Sequence, residues 1–258
     1  DAWKRFIFHQ FHDDLTGTSI PRAYEFSWND ELLSLKDFAD VTTHGVSAVA
    51  SRMDTRAKGT PVVLYNPLGF EVSTLVEVSV PAKARPAKAT VINDRGETAA
   101  AQVIGYADGK ATLLVDAEKL PANGMAVYDV RLSGKGKAPA ETEANTLENS
   151  RYRITFDSNG DITSLYDKTA GKEMVKEGKA IRLAMFTENE SFPWPAWEIL
   201  KKAIDGTPES ITGDVKMTLV ADGPLRKTLK VSKRHGDSQF DQYISLSEGP
   251  LSHRVDFY

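Results

Sequence analysis

The residue types that could carry chemistry are concentrated in residues 9–19, which read His-Gln-Phe-His-Asp-Asp-Leu-Thr-Gly-Thr-Ser. His9, His12 and Asp13 come at the end of an amphipathic run, and a polar turn over residues 16–19 follows directly. Imidazole and carboxylate groups are the side chains that bind zinc or move protons near neutral pH. Placed where a helix meets a loop, they could serve a site that is shared with another part of the protein.

The spacing of these residues is only a weak indication of metal binding. His9 and His12 are three residues apart and therefore lie on roughly one helical face, but such a pair is more often structural or exposed. Asp13 and Asp14 could equally be solvated acids at a helix end. Because the C-terminal end of a helix favours cations, two adjacent acids there are unusual and indicate function.

A second candidate is an aromatic segment, Phe192-Pro193-Trp194-Pro195-Ala196-Trp197. A loop that displays Trp194 and Trp197 could bind carbohydrate, because aromatic faces stack on sugar rings. The alternative, which we favour, is that tryptophans between prolines seal the edge of a core, where each buries a large area.

The composition is ordinary for a globular protein and excludes several kinds of site. The 258 residues are 41% hydrophobic and 26% charged, and the formal net charge is −4. This balance gives no electrostatic reason to expect nucleic acid or an anionic membrane as a partner. No apolar run is long enough to span a bilayer. The absence of cysteine excludes disulfides, cysteine zinc sites and thiol nucleophiles.

The first 58 residues are predicted to be helical, in two segments. An apolar stripe predicts a first helix that ends near Asp13 or Asp14, where turn-forming residues begin. Ser27, Asn29 and Asp30 are predicted to cap a second, longer helix with a near-heptad stripe. The stripes consist of Trp3, Phe6, Ile7 and Phe11 in the first helix, and of Leu32, Leu35, Ala39, Val46, Val49 and Met53 in the second. Such stripes normally pack on other helices, so we expect part of the partner set to lie elsewhere.

After Pro61 the hydrophobic pattern changes to the period of two that is typical of half-buried strands. Short strands at close spacing, with no helices between them, predict antiparallel sandwiches. The predicted strands are residues 62–65, 72–80, 111–115, 125–132, 152–156, 162–166, 215–221, 225–231, 240–246 and 251–257. We therefore predict a mainly β protein with an N-terminal α-helical segment and antiparallel β-sandwich units.

The predicted organisation has four parts. Residues 1–58 form the helical segment, residues 59–135 a small β-sandwich domain, residues 136–148 a linker without periodicity, and residues 149–258 a partial large β domain. The chain starts within an apolar-periodic segment and ends within an alternating run. We interpret this as an internal piece of a longer protein, and the alternative is a mature chain trimmed at a natural boundary.

Residues 8–19 strongly resemble a signature of the α-mannosidases of glycoside hydrolase family 38, in which a helix ends in a His-Asp pair followed by a Gly-Thr or Gly-Ser turn. Residues 62–68, Val-Val-Leu-Tyr-Asn-Pro-Leu, are similar to the first strand of that family's small β domain. Residues 147–152, Leu-Glu-Asn-Ser-Arg-Tyr, and residues 160–168, Gly-Asp-Ile-Thr-Ser-Leu-Tyr-Asp-Lys, resemble the opening of its large domain, a galactose-mutarotase-like supersandwich. The similarity covers essentially the whole chain in the right order.

This resemblance implies a retaining exo-glycosidase that removes terminal α-linked mannose from glycans and holds zinc at the base of its pocket. By the match, His12 is a zinc ligand and Asp13 contacts substrate hydroxyls, whereas His9 matches no ligand position and Asp14 has no implied role. The other zinc ligands and the nucleophile are implied to lie on an N-terminal catalytic barrel that is absent here. No catalytic residue is therefore assigned within this segment, which alone is expected to be inactive.

Two functions of different classes stay open. The first is part of a zinc-dependent α-mannosidase, whose partners are mannose-containing glycans and the catalytic barrel of the same protein. The second is a non-catalytic carbohydrate-binding β-sandwich module that acts through Trp194 and Trp197.

Overall fold

The computed structural model describes residues 1–186, 189–190 and 198–258, which divide into two compact units. The first unit contains residues 1–54 and 185–209, and the second contains residues 55–184 and 210–258. The helices are α1 (Ala2–Phe8), α2 (His12–Leu15), α3 (Pro21–Ala50) and α4 (Lys201–Asp205), all in the first unit. No helix within the described ranges is long and apolar enough to cross a membrane.

The long helix α3 begins at Pro21, and the prediction that it begins at Ser27, Asn29 or Asp30 is wrong. Proline suits the first helical position because its fixed φ matches the helix and its missing N–H would have no partner there. Two of the three predicted caps, Ser27 and Asp30, instead form contacts with residues before α3. Ser27 donates to the carbonyl of Ala23 in its own helix and to the carboxylate of Asp14.

The first helix is also shorter than predicted, because α1 ends at Phe8 and the chain turns before α2 begins. The residue before α2, Phe11, has φ −57° and ψ 139°, which is an extended conformation. Asp13 and Asp14 consequently lie in the first and only turn of α2, and not at the end of the predicted first helix. The interpretation of these acids as unfavourable to a helix dipole is therefore wrong, since exposed N–H groups at a helix start favour acids.

The helices α1, α2 and α3 are joined along one polar face of α3. Tyr24, Ser27, Asp30 and Ser34 recur at steps of three and four residues, so they lie along one side of that helix. Each of them forms a side-chain hydrogen bond or ion pair with residues 1–19. Within α1–α3 and the turn between them, the described residues that are buried are His9, Ser27 and Ser34. We call this contact the polar seam.

The apolar side chains of the same helices stay largely exposed. Examples are Trp28, which is 65% exposed, and Leu32, which is 67% exposed. Trp3 and Phe6 form ring contacts with Phe38 of α3, with centroid distances of 4.9 and 6.5 Å. This small aromatic group holds the first half of α1 on α3 beside the polar seam.

The second unit starts with a small sandwich. Its strands are β1 (Thr60–Tyr65), β2 (Val72–Pro81), β3 (Lys88–Ile92), β4 (Thr98–Ala99), β5 (Ala101–Ala107), β6 (Lys110–Leu120) and β7 (Met125–Ser133). They form two antiparallel sheets, in the orders β1-β7-β3-β4 and β2-β6-β5. Alternate residues of β6, such as Leu113 and Val115, are buried in the core between the sheets. Asp108 and Gly109 connect β5 to β6 with φ values of 49° and 71°, which suit a tight two-residue turn.

A larger sandwich follows. The remaining strands are β8 (Thr142–Glu143), β9 (Thr146–Glu148), β10 (Tyr152–Phe156), β11 (Ile162–Asp167), β12 (Lys172–Glu173), β13 (Ala184–Met185), β14 (Glu209–Ser210), β15 (Gly213–Asp222), β16 (Arg226–His235), β17 (Ser238–Ser247) and β18 (Val255–Phe257). Its two sheets have the orders β12-β11-β10-β9 and β18-β17-β16-β15-β8. Ile154 from the first sheet and Leu229 from the second lie in their common core. The predicted fold class is confirmed.

Several details differ from the predicted strands. Residues 88–92 and 101–107 form β3 and β5, which were not predicted. Conversely, the strand predicted over residues 251–257 is reduced to β18, because a short 3-10 helix with proline at its start (Gly249–Leu251) precedes it. Within the stretch predicted as a linker, β8 pairs with β15 and β9 pairs with β10. The predicted domain boundaries themselves stay a prediction.

The two sandwiches contact each other through a buried glutamine. The Gln102 side-chain oxygen accepts hydrogen bonds from the backbone N–H groups of Leu225 and Arg226, both at 2.9 Å. Its amide nitrogen donates to the Arg226 carbonyl at 3.0 Å. The Arg226 side chain adds an ion pair of 2.8 Å with Glu77. One polar side chain of the small sandwich thus replaces a strand partner at the start of β16.

The larger sandwich also contains a buried ion pair. The Lys233 ammonium on β16 contacts the Asp161 carboxylate, which follows a turn that starts at Asp157. The side chains are 1% and 6% exposed. Gly160 has φ +68°, and a Cβ there would lie 2.5 Å from Val231 Cγ1. This turn therefore fits tightly against β16, with glycine required by both conformation and space.

Candidate functional site

His12 is the first residue of α2 and presents its ring to solvent, with its side chain 76% exposed. Its Nε2 atom lies 3.6 Å from Asp13 Oδ2, so the imidazole and the carboxylate face the same region. The Phe11 ring lies beside the imidazole, with centroids 4.3 Å apart. The two residues predicted to bind metal and substrate are thus adjacent and accessible.

The turn after α2 explains the residue types that follow the His-Asp pair. Gly17 has φ +79°, a left-handed conformation that glycine adopts without strain. The reversal lets the N–H groups of Thr18 and Ser19 donate to the Asp13 carbonyl, at 3.0 and 3.1 Å. Thr16 Oγ1 donates to the His12 carbonyl at 2.7 Å. The turn residues therefore satisfy backbone carbonyls of α2 and stabilise this short helix.

Asp14, which has no role in the sequence interpretation, is the centre of the polar seam. Its carboxylate accepts hydrogen bonds from Ser19 Oγ at 2.7 Å and from Ser27 Oγ at 2.9 Å. His9 Nδ1 lies 3.0 Å from the same carboxylate. These bonds join the end of α1, the turn after α2 and the helix α3. The hydrogen bond from His9 is the main cause that lowers the Asp14 pKa.

His9 is 5% exposed and lies between two carboxylates. Besides the contact with Asp14, its Nε2 lies 3.3 Å from Asp30 Oδ2, and Asp30 also pairs with Arg5. Ionised carboxylates only accept hydrogen bonds, so both contacts form together only when the ring is protonated. The hydrogen bond to Asp14 is the main cause that raises the His9 pKa, against the opposing effect of burial. Both ring nitrogens are engaged, which leaves His9 no free nitrogen for a metal.

The arrangement can supply part of a metal site. In the parts of the chain that the structure describes, no group of three or more His, Cys, Asp or Glu residues could hold a metal ion. Structural and catalytic zinc sites use three or more protein ligands. His12 offers a free imidazole and Asp13 a carboxylate, so other ligands would have to come from outside this cluster. Trp194 and Trp197, the alternative carbohydrate platform, lie outside the described residues.

Comparison with known proteins gives this geometry a context. Residues 147–258 match the family model of the glycosyl hydrolases family 38 C-terminal domain. Alpha-mannosidase G of Dictyostelium discoideum is 24% identical over an alignment of 274 residues, and the alignment covers 92% of this chain. Alpha-mannosidase 2C1 of Mus musculus is 22% identical over 257 residues, which cover 96% of it. The resemblance to glycosyl hydrolase family 38 is confirmed. The chain spans about a quarter of the length of these relatives, 24% of the first and 22% of the second.

Sequence reasoning separated His12 from His9 through the family motif and missed the residues that support the motif. The sequence interpretation gives Asp14 no role and predicts Ser27 and Asp30 as caps. A signal for the role of Ser27 and Asp30 is the spacing of Tyr24, Ser27, Asp30 and Ser34, which places four polar side chains along one face of α3. A buried polar face indicates directional contacts with a neighbouring segment.

Proposed function

We propose that this chain is part of a retaining, zinc-dependent exo-α-mannosidase that removes terminal α-linked mannose from glycans. The observation that carries the proposal is the pairing of an accessible His12 with Asp13 at the start of α2, in a chain similar to α-mannosidases over nearly its whole length. The burial of His9 supports His12 as the available ligand of the two histidines.

The residues present fit a share of a zinc site. His12 would hold the metal through a neutral ring nitrogen, and Asp13 would accept hydrogen bonds from sugar hydroxyls. When bound, zinc would act as a template that orients substrate hydroxyls. A retaining glycosidase also needs a carboxylate nucleophile and a carboxylic acid that protonates the leaving oxygen. We assign neither to this segment and expect both on a catalytic barrel of the same protein.

The exposed apolar surface of α1–α3 supports a further partner for these helices. Trp3, Ile7 and Leu32 are each more than half exposed, on helices whose buried contacts are polar. Large exposed apolar patches usually mark interaction surfaces. The barrel is our proposed occupant, because a site at His12 and Asp13 needs its other ligands close to α1 and α2.

The test uses the longer enzyme, assayed with an aryl α-mannoside and analysed for bound metal. His12→Ala should lose zinc and reduce kcat/KM by more than the ~10–100-fold that is typical for loss of a ligand's supporting partner. His44→Ala, which removes an exposed histidine on α3, is the matched control and should keep both zinc and activity. Full zinc and activity in His12→Ala would refute the assignment.

The 258-residue chain tests the division of labour. Alone it should not hydrolyse aryl α-mannosides even with added zinc, because both catalytic carboxylates are assigned elsewhere. Turnover that is abolished by replacing one of its own acids would contradict the proposal. Glycan binding by this chain that disappears in Trp194→Ala would favour the carbohydrate-binding module instead.

A further inference from the structure

The segment that carries His12 and Asp13 is short and has few means of holding its own position. The helix α2 has four residues and buries none of them. Isolated helices of this length are unstable in water, so contacts with neighbouring elements must fix its orientation. Those contacts are the hydrogen bonds of the polar seam, which are directional in a way that apolar packing is not.

His9 follows α1 directly and contacts both α2, which carries His12 and Asp13, and α3. It contacts Asp14 of α2 at 3.0 Å and Asp30 of α3 at 3.3 Å. The charged groups that face it are these two carboxylates and, beyond Asp30, the guanidinium of Arg5 on α1. One imidazole ring therefore joins the three helices next to the proposed zinc ligand.

The geometry points to His9 as a positioning residue that holds the His12-Asp13 segment in a fixed orientation on α3, and this role rests on the proposed function. His9 binds neither metal nor substrate in this arrangement. Its contact with Asp14 fixes the side of α2 opposite to solvent, so that the accessible side carries the adjacent His12 ring and Asp13 carboxylate. Oriented ligands are what a metal site needs from its surroundings.

The surrounding contacts allow this role to be separated from general stability. The N-terminal half of α1 is held on α3 by the rings of Trp3, Phe6 and Phe38 and by the hydrogen bond from Ser34 to the Ala2 carbonyl, at 3.2 Å. Replacement of His9 should therefore loosen residues 9–19, which keep their contacts with Tyr24 and Ser27, and leave the first residues of α1 and most of α3 in place.

The first measurement is amide hydrogen exchange on the 258-residue chain. His9→Leu, which keeps an apolar body but no donor, should speed exchange at Asp14, Thr18 and Ser19 by at least ~10-fold, as expected for opening of a locally stabilised segment. His9→Gln keeps one donor and should restore part of the protection. His44→Leu makes the same replacement at an exposed position of α3 and should change nothing in residues 9–19. Unchanged exchange in His9→Leu, or an equal increase along all of α3, would overturn the positioning role.

The second measurement places the same variants in the longer enzyme. His9→Leu should lower zinc affinity by about 10–100-fold, the range seen when a supporting partner of a ligand is lost, with His9→Gln in between. Zinc affinity unchanged in His9→Leu, while His12→Ala abolishes it, would overturn the positioning role and leave the proposed function intact. If His12→Ala keeps zinc and activity, the proposed function fails. The exchange at residues 9–19 then decides alone whether His9 positions the segment.

Discussion

Removing the buried ammonium of Lys233 should destabilise the larger sandwich severely. Lys233→Met keeps a long unbranched side chain but leaves the Asp161 carboxylate, 6% exposed, without its ionic partner. Breaking a buried pair in this way typically costs ~3–5 kcal/mol. The tight turn at Gly160, where a Cβ would lie 2.5 Å from Val231 Cγ1, hinders the movement that would admit water to the carboxylate. We therefore expect the upper half of the range, a large share of the ~5–15 kcal/mol that stabilises a typical domain.

The assay is urea unfolding of the 258-residue chain followed by circular dichroism, with the free energy of unfolding taken from the midpoint and slope. Lys230→Met is the control on the same strand, because the Lys230 ammonium pairs with Asp241 at 2.9 Å but is 28% exposed. Hydrogen bonds from Ser232 and Lys230 lower the Asp241 pKa to about 2, yet an ion pair this close to solvent should contribute little to the free energy of unfolding.

A double variant separates loss of the pair from loss of packing. Lys233→Met combined with Asp161→Leu removes both charges, and such apolar replacements are often neutral or stabilising. It should be more stable than Lys233→Met alone. Two outcomes would refute the reasoning. One is a loss of unfolding free energy in Lys233→Met no larger than in Lys230→Met. The other is a loss in the double variant that equals the sum of the losses in Lys233→Met and Asp161→Leu alone.

Two further predictions concern the contacts between elements. Gln102→Leu leaves the N–H groups of Leu225 and Arg226 without their partner, which costs ~1–3 kcal/mol for each unsatisfied group. The calorimetric transition of the two sandwiches should therefore split into two. A single transition at the original temperature would contradict this prediction. The docking of α1 and α2 on α3 should weaken as the pH rises through the raised pKa of His9, because a group whose pKa is raised on folding contributes its full stability below its unfolded value of 6.5 and loses it above the folded value. Amide exchange of residues 9–19 between pH 6 and 9 measures this, after correction for intrinsic rates; His9→Leu should show no such dependence, and a wild-type profile equally flat would contradict the prediction.

The sequence predicted the sandwiches well because alternation reports burial directly. Along β6, alternate residues from Ala111 to Ala117 face the core, and the positions of β2, β10 and β16 followed from the same pattern. The strand β5 was not predicted because one of its buried residues, Gln102, is polar and faces the larger sandwich. Period-two patterns cannot show a contact made by a side-chain amide.

The helices were predicted in kind but not in extent. Apolar periodicity located α1 and α3. Their ends depend on local hydrogen bonds, which residue propensities predict poorly. Ser27 and Asp30 are good capping residues by type, and Pro21 determined the actual start of α3. At the candidate site, the family motif selected His12 and Asp13. The role of Asp14 depends on contacts with residues 9, 19 and 27, which no single-sequence pattern specifies.

The polar seam gives the docking of α1 and α2 an unusual thermodynamic character. Heat capacity and denaturant sensitivity both scale with the apolar area that leaves water, and here the buried groups are mainly polar. Separation of α1 and α2 from α3 should therefore change the heat capacity little and respond weakly to urea. Ionic strength should act mainly through the Arg5–Asp30 pair, because salt screens exposed charges and screens buried ones much less. The contact of α1 with α3 would then respond to salt more than the apolar cores of the sandwiches do.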